Sequence, residues 1–377
     1  MNQLWWWAWI MALMFAANSA GAGSPRPADS HLEIRIGQQR FQGRELACGA
    51  KQLWLLANDG QLHPFDLKEI TEQRTLTARF APLTPGAVRD LLRRELGNGF
   101  EVAGAGRYLV CARPGEAPRY ARLFDDLYRA FRVYFAARGF QVTEPEFPLV
   151  AIVFPDQAGF ARYAQRDHIP AIAGLQGYYH PQSNRVTLFE SGNRPLADGT
   201  PHVSDESAWW GSIQGGGQAT MVHEATHQVA FNTGLHARIG QNPKWVVEGL
   251  ATVFEAPGIR QPDAGRNIVN RINPDRFAWF IDYAQRRRKA KSLAGFIADD
   301  QPFVRAALDA YSEAWALSFF LIETRSSQYS RYLKVISRRD PLKHYGPEER
   351  TADFQQAFGS DLVQLDADLL RFLRGIR

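Results

Sequence analysis

The sequence predicts an α+β protein in which a mixed sheet is followed by a helical subdomain and preceded by a small N-terminal α+β module. Three observations predict it. Short runs near the N-terminus alternate apolar and polar residues, a continuous apolar run and a hairpin signal follow, and almost everything beyond Gly217 repeats apolar residues at helical spacing. With 377 residues, 45% hydrophobic and 22% charged, the chain can bury a sizeable core and falls outside the disordered and low-complexity classes. Its 44 Lys and Arg against 39 Asp and Glu leave a net charge of +5, too mild a surplus to mark nucleic acid as a partner.

Residues 1–22 read as a cleaved secretory signal. Leu4 to Ala17 is apolar but shorter than the roughly 20 residues a spanning helix needs, and Ala20-Gly21-Ala22 resembles a processing site. No Lys or Arg opens the segment, so an uncleaved membrane anchor is the competing reading. Either way the chain is expected in the periplasm or outside the cell. In that oxidising setting Cys48 and Cys111 are expected to form one disulfide, with two separate thiols as the alternative.

Residues 30–98 are expected to form the N-terminal module. HLEIRIG and KQLWLLANDGQLHPFDL alternate as strands do, with Asn58-Asp59-Gly60 as the turn between two of them. Thr84-Pro85-Gly86 then opens a helical run that Gly97 closes. Residues 99–377 make the larger domain. Phe124, Leu127, Phe131, Tyr134 and Phe135 lie at helical spacing between Arg119 and the stop at Gly139. Pro148 to Phe154 is β-rich and continuously apolar, as a strand buried on both faces would be, and Gly177-Tyr178-Tyr179 with Arg185 to Phe189 flank Pro181 to Asn184 as a hairpin.

The chemistry begins at His223-Glu224-Ala-Thr-His227. Residues four apart stack on one helix face, so His223 and His227 can present ring nitrogens to one ion, with Glu224 one step round the helix where a water would sit. This is H-E-x-x-H, the zinc-hydrolase signature, in which the glutamate takes a proton from water. Asn242-Pro243 then supplies an N-cap and a first-turn proline for a second helix, Lys244 to Glu255, which carries Glu248 among Val246, Val247 and Leu250. A carboxylate in that apolar setting is expensive unless paired or ligated, so Glu248 is the candidate third ligand; a surface glutamate is the alternative. Two imidazoles and one carboxylate would leave a coordination place for water. A metzincin is excluded, because Ala230 and Thr233 stand where its Gly and third His belong. His236, in the loop after Gly234, is a weaker ligand candidate.

HEATHQ, WVVEGLA and the run YSEAWALSFFL from Tyr311 to Leu321 together resemble the peptidase MA-like gluzincins, in particular a bacterial family of exported proteins known only as a domain of unknown function. The resemblance covers roughly residues 100–377. It implies a thermolysin-like zincin core, Zn2+ held by His223, His227 and Glu248, and Glu224 as general base; it implies no particular substrate. It also implies that Tyr311 hydrogen-bonds the oxyanion of the tetrahedral intermediate. From the residues alone, Tyr311, Ala314, Trp315, Ser318, Phe319 and Ile322 form an apolar stripe, so a core role for the tyrosine stands beside that one.

Smaller features carry two readings each. The hairpin strand Arg185 to Phe189 either pairs with an extended peptide or is ordinary sheet, and Gly215-Gly216-Gly217 is either a lip over the cleft or a loop. Glu255 reads as a solvated helix-end carboxylate, with support of a ligand histidine as the other role. Arg286 to Lys289 with Lys291 reads as a basic helical face or a peripheral envelope contact, not a nucleic-acid patch. The expectation is an exported zinc metallopeptidase acting on a peptide or protein substrate. Its rivals are a non-catalytic zinc-containing envelope binding protein and a zinc amidase acting on cell-wall peptides.

Overall fold

In the computed structural model, residues 30–170, 175–190, 217–261 and 267–376 are described. Residues 1–22, expected to be a signal segment, and the glycines 215 and 216 lie outside the described residues. The described chain is α+β: two five-stranded sheets come first and the chain beyond residue 217 is helical.

The first sheet holds β1 (Leu32–Ile36), β2 (Gln39–Cys48), β3 (Gln52–Ala57), β4 (Leu62–Asp66) and β5 (Glu72–Thr75) in the order β4-β3-β2-β1-β5, every neighbouring pair antiparallel. The expected turn joins β3 to β4, and Gly60 takes a φ of 87° there, a conformation that other residues rarely adopt. Helix α1 (Pro85–Leu96) is capped by the Thr84 side chain, which accepts from the Ala87 N–H at 3.3 Å. It lies within the 30–98 segment, yet its buried Val88 and Leu92 pack with Val102, Leu109 and Val150 of the second sheet.

That second sheet runs β6-β7-β8-β10-β9, from β6 (Glu101–Ala105), β7 (Tyr108–Ala112), β8 (Leu149–Phe154), β9 (Gly177–His180) and β10 (Arg185–Phe189). Its three central strands are parallel and each outer pair is antiparallel. Every residue of β8 is buried, as its unbroken apolar run requires. Ala151 and Val153 face a core shared with α2 (Ala117–Ala136) and the helices after residue 217, while Val150 and Ile152 face α1 and α3 (Gln157–Arg166). Among the described residues no helix is long and apolar enough to cross a membrane.

The expected disulfide is absent. Cys48 ends β2 in the core of the first sheet, whereas Cys111 sits in β7 inside the second sheet's core, and both are free thiols. The two cores are separate, so the side chains are packed away from each other, and burial pushes the Cys111 thiol up to about 12. An apolar cluster of Trp54, Leu56 and Leu62 with Phe147, Ile239 and Leu342 joins the first sheet to the rest of the protein, and polar bonds add to it. Leu62 N–H donates to the Gln182 carbonyl at 2.8 Å, and the Arg238 guanidinium donates to the carbonyls of Gly60 and Pro181 at 2.8 Å each.

Candidate metal centre

Two helices carry the candidate ligands. Helix α4 (Gly217–Asn232) lies across the second sheet and is fastened to it by its own polar side chains. Gln228 donates from Nε2 to the carbonyls of Val150 and Asn184, at 2.9 and 2.8 Å, and Asn232 exchanges side-chain hydrogen bonds with Asn184. These bonds fix the helix rotation, and with it the direction of His223 and His227. Helix α5 (Lys244–Phe254) follows a loop braced by Asn242, whose side chain bonds both the N–H and the carbonyl of Ala237. Asn242 was expected to cap α5. The leading N–H of α5, from Lys244, is instead taken by the Asp300 carboxylate at 2.9 Å, a partner supplied from far along the chain.

Helix α5 packs closely against α10 (Ala307–Thr324). A Cβ at Gly249 would overlap the Ser318 hydroxyl and the Ala314 carbonyl, so the small residue after Glu248 sets how near the two helices come. Tyr311, on α10, is buried against the Phe303 ring, with centroids 5.3 Å apart. Its hydroxyl feels the charges of Glu248, Glu224 and Glu255, which places it in the wall of this site, and burial first and those carboxylates next raise its pKa well above the phenolic value.

His223, His227 and Glu248 are brought together, all buried, with their ligand atoms within 4.8 Å of one another. The Nε2 atoms of His223 and His227 are 3.0 Å apart, and Glu248 Oε2 lies 3.3 and 3.6 Å from them. Donors about 2.0–2.1 Å from a single tetrahedral ion stand about 3.3 Å from one another, so the spacing suits such an ion. The electrostatics agree. Two imidazole nitrogens facing each other beside a buried carboxylate oxygen with no hydrogen-bond partner among the described residues need a positive charge between them. Burial opposes a charge on His223, but the Glu248 and Glu255 carboxylates outweigh it and hold its pKa at about 10. Burial likewise opposes the Glu248 charge, and the two imidazoles overcome that, pulling its carboxyl well below the usual range.

Glu255 is not solvated. Its Oε1 lies 2.7 Å from His223 Nδ1 and its Oε2 accepts from Asn273 Nδ2 at 2.7 Å. A carboxylate there holds the proton on Nδ1, leaving the Nε2 lone pair for an ion. The seven-residue spacing from Glu248 was the signal for it in the sequence; Asn273 gave none. His236 is buried outside the ligand group, its Nδ1 3.0 Å from the Leu235 carbonyl, and burial pushes its pKa down to about 3.

Glu224 is buried and feels the charges of His223, His227 and Glu248. Its Oε2 accepts the Tyr179 N–H at 2.7 Å, whereas its Oε1 is buried with no hydrogen-bond partner among the described residues. Burial raises its carboxyl pKa, and the imidazoles offset only part of that. Tyr179 belongs to β9, the outermost described strand of its sheet, and turns this N–H away from the ladder with β10.

Residues 217–343 match a family model described as "Protein of unknown function (DUF1570)", and that span holds His223, Glu224, His227, Glu248 and Tyr311. No curated protein matches the chain.

Proposed function

We propose that the protein is an exported zinc-dependent metallopeptidase of the gluzincin type. The observation that carries this reading is Glu224 Oε1, a buried acceptor with no hydrogen-bond partner among the described residues, beside three ligand atoms spaced for one ion. A closed structural site has four protein ligands; three match a catalytic donor set. Zinc in particular fits two imidazoles with one carboxylate, and when bound it supplies Lewis acidity for hydrolysis. Export rests on the N-terminal sequence, and a peptide substrate on β9, the outermost described strand of its sheet.

The residues then divide the work. Glu224 Oε1 accepts the proton of the attacking water and delivers it to the leaving amine, a task suited to a carboxylate whose pKa is raised toward neutrality. The Tyr179 N–H fixes the other oxygen so that Oε1 keeps its aim. Tyr311 donates its hydroxyl hydrogen bond to the developing oxyanion, and its raised pKa keeps that proton in place. Glu255 keeps the His223 ring in one tautomer.

The test measures zinc content by mass spectrometry and cleavage of a denatured protein library, for wild type and Glu224→Gln. Full zinc occupancy with a loss of about 10²–10⁴-fold in turnover is expected of the variant. Full hydrolysis by the variant, or no hydrolysis by the zinc-loaded wild type, overturns the reading. Products confined to cell-wall peptides identify the amidase instead.

A further inference from the structure

The Tyr179 N–H that bonds Glu224 Oε2 is only as fixed as the strand that carries it. β9 is four residues long and is the outermost described strand of its sheet, with its ladder on one side, to β10. Burial of the Tyr178 and Tyr179 side chains sets the depth of the strand, but burial is not directional, so its alignment depends on bonds at its end. The turn that follows, Pro181 to Asn184, begins two residues beyond Tyr179, and Pro181, Gln182 and Ser183 are only half-buried. Polar bonds must therefore locate it.

Arg238 supplies such bonds. Its guanidinium donates to the Pro181 carbonyl from Nη2 at 2.8 Å and from Nε at 3.3 Å, to the Gln182 carbonyl at 3.4 Å, and to the Gly60 carbonyl of the first sheet's turn at 2.8 Å. Leu62 N–H, also from the first sheet, reaches the same Gln182 carbonyl at 2.8 Å. The Tyr179 hydroxyl, which donates to Asn184 Oδ1 at 2.9 Å, feels the Arg238 charge as well. Arg238 itself belongs to the loop between α4 and α5 and follows Ala237, whose N–H and carbonyl are both bonded by the Asn242 side chain. One side chain thus ties the turn after β9 to the loop joining the two ligand-carrying helices and to the first sheet. A guanidinium suits the task, since its planar fork presents several N–H groups in fixed directions.

We infer that Arg238 is a positioning residue for the general base: with the first sheet as its abutment, it holds the turn after β9 so that the Tyr179 N–H stays on Glu224 Oε2 and Oε1 keeps its direction. The inference rests on the peptidase reading for the task of Glu224, and it gives the N-terminal sheet a part in turnover. Arg238 lies outside the group formed by His223, His227 and Glu248, so holding the ion does not depend on it. Aim does, because a reacting group misplaced by about 1 Å can lose about 100-fold in rate.

The experiment uses the full chain loaded with Zn2+, as wild type, Arg238→Met, Arg238→Lys, Glu224→Ala, Glu224→Gln and the double variant Arg238→Met with Glu224→Gln. Zinc content and peptide turnover are measured alongside amide hydrogen exchange at Tyr179 and, as a reference, at Ile152 in the buried central strand β8. Arg238→Met is expected to keep its zinc and to lose about 10–100-fold in turnover. Its Tyr179 amide should exchange about tenfold faster or more, as in Glu224→Ala, with Ile152 unchanged. Arg238→Lys, which keeps the charge without the fork, should lie between. In the Glu224→Gln background Arg238→Met should change the residual turnover by less than about twofold, because the base it positions is gone. Wild-type turnover or wild-type Tyr179 exchange in Arg238→Met, an equal acceleration at Ile152, or an undiminished loss in the Glu224→Gln background overturns the inference. Where Arg238→Met does not fold, wild-type turnover and exchange in Arg238→Lys do so. No hydrolysis by the wild type, with the Tyr179 amide released by Arg238→Met as by Glu224→Ala, overturns the peptidase reading and leaves Arg238 as the residue that keeps Tyr179 on Glu224. Zinc-dependent hydrolysis with an undisturbed Tyr179 amide in Arg238→Met does the reverse.

Discussion

Helix α10 borders two buried charge clusters, and they differ in how completely their polar atoms are used. On one side Glu313 receives Arg288 Nη2 at 2.7 Å and the Tyr283 hydroxyl at 3.1 Å, and Arg288 reaches Asp366 at 2.6 Å. On the other side lies the candidate metal centre, where Glu224 Oε1, Glu248 Oε2 and His227 Nδ1 are buried without hydrogen-bond partners among the described residues. The first cluster is closed upon itself, as a structural brace between α10, α7 (Pro274–Arg286) and α13 (Leu362–Gly375) should be. The second keeps unspent donors and acceptors at a place where burial makes them costly, which is the mark of groups reserved for something from outside the chain. Of the Arg286 to Lys289 run only Arg288 belongs to the first kind; Arg286, Arg287 and Lys289 are exposed, with Arg286 and Arg287 paired to Asp282 and Arg287 also to Asp309.

The contrast breaks if the clusters respond alike to mutation. The largest effect is expected at the closed one. Arg288→Met leaves Glu313 and Asp366 buried without their cation and should cost about 3–5 kcal/mol of stability by denaturant unfolding, with zinc stoichiometry unchanged in the folded fraction. Loss of zinc in that variant would mean that the two clusters are one unit. Next comes Tyr311→Phe, which retains the ring packing on Phe303 and should lower turnover by about 10²–10³-fold at constant zinc content. A drop in melting temperature with normal turnover would return Tyr311 to the core alone.

Smaller still is Glu255→Gln, for which zinc affinity should fall by about 10–100-fold in a competition titration with a chelator. An unaltered affinity would show that the His223 Nδ1 contact is dispensable. The last effect is a slope with pH. In metal-free protein the folded His223 pKa lies at about 10, above the ordinary 6.5, so its contribution to stability is complete below about 6.5 and disappears as pH rises through 10. Glu248 runs oppositely: its lowered pKa gives a contribution that is present above about 4.5 and is lost on strong acidification. The unfolding free energy of metal-free protein should therefore fall between pH 7 and 10, by no more than about 1.4 kcal/mol per pH unit for the one proton, as read by denaturant unfolding. Saturating zinc should abolish the trend, because the ion takes the proton's place on His223. A flat profile without metal would contradict the charge placed between the rings.

The helix carrying His223 and His227, the turn at Asn58-Asp59-Gly60, the apolar strand of β8 and the hairpin around Asn184 were all legible in the sequence, since each is written in residues close together in the chain. The candidate ligand triad, which the fold brings together, was legible for a related reason: a four-residue helical spacing and one misplaced carboxylate are local signals. Its surroundings were not. The cap on α5 comes from Asp300, Glu224 is aimed by the N–H of Tyr179 45 residues before it, and Gln228 reads as one more polar helix residue until its carbonyl partners, Val150 in β8 and Asn184 just before β10, are seen.

Residue order alone therefore determined which side chains could bind an ion and which elements would carry them, because periodicity and turn chemistry act within a few residues. Tertiary structure alone decided that the two cysteines stay apart in separate cores and that Glu255 meets His223. Those outcomes depend on which desolvated groups meet across the packed layers, and burial and pairing in a low-dielectric interior are set by neighbours in space.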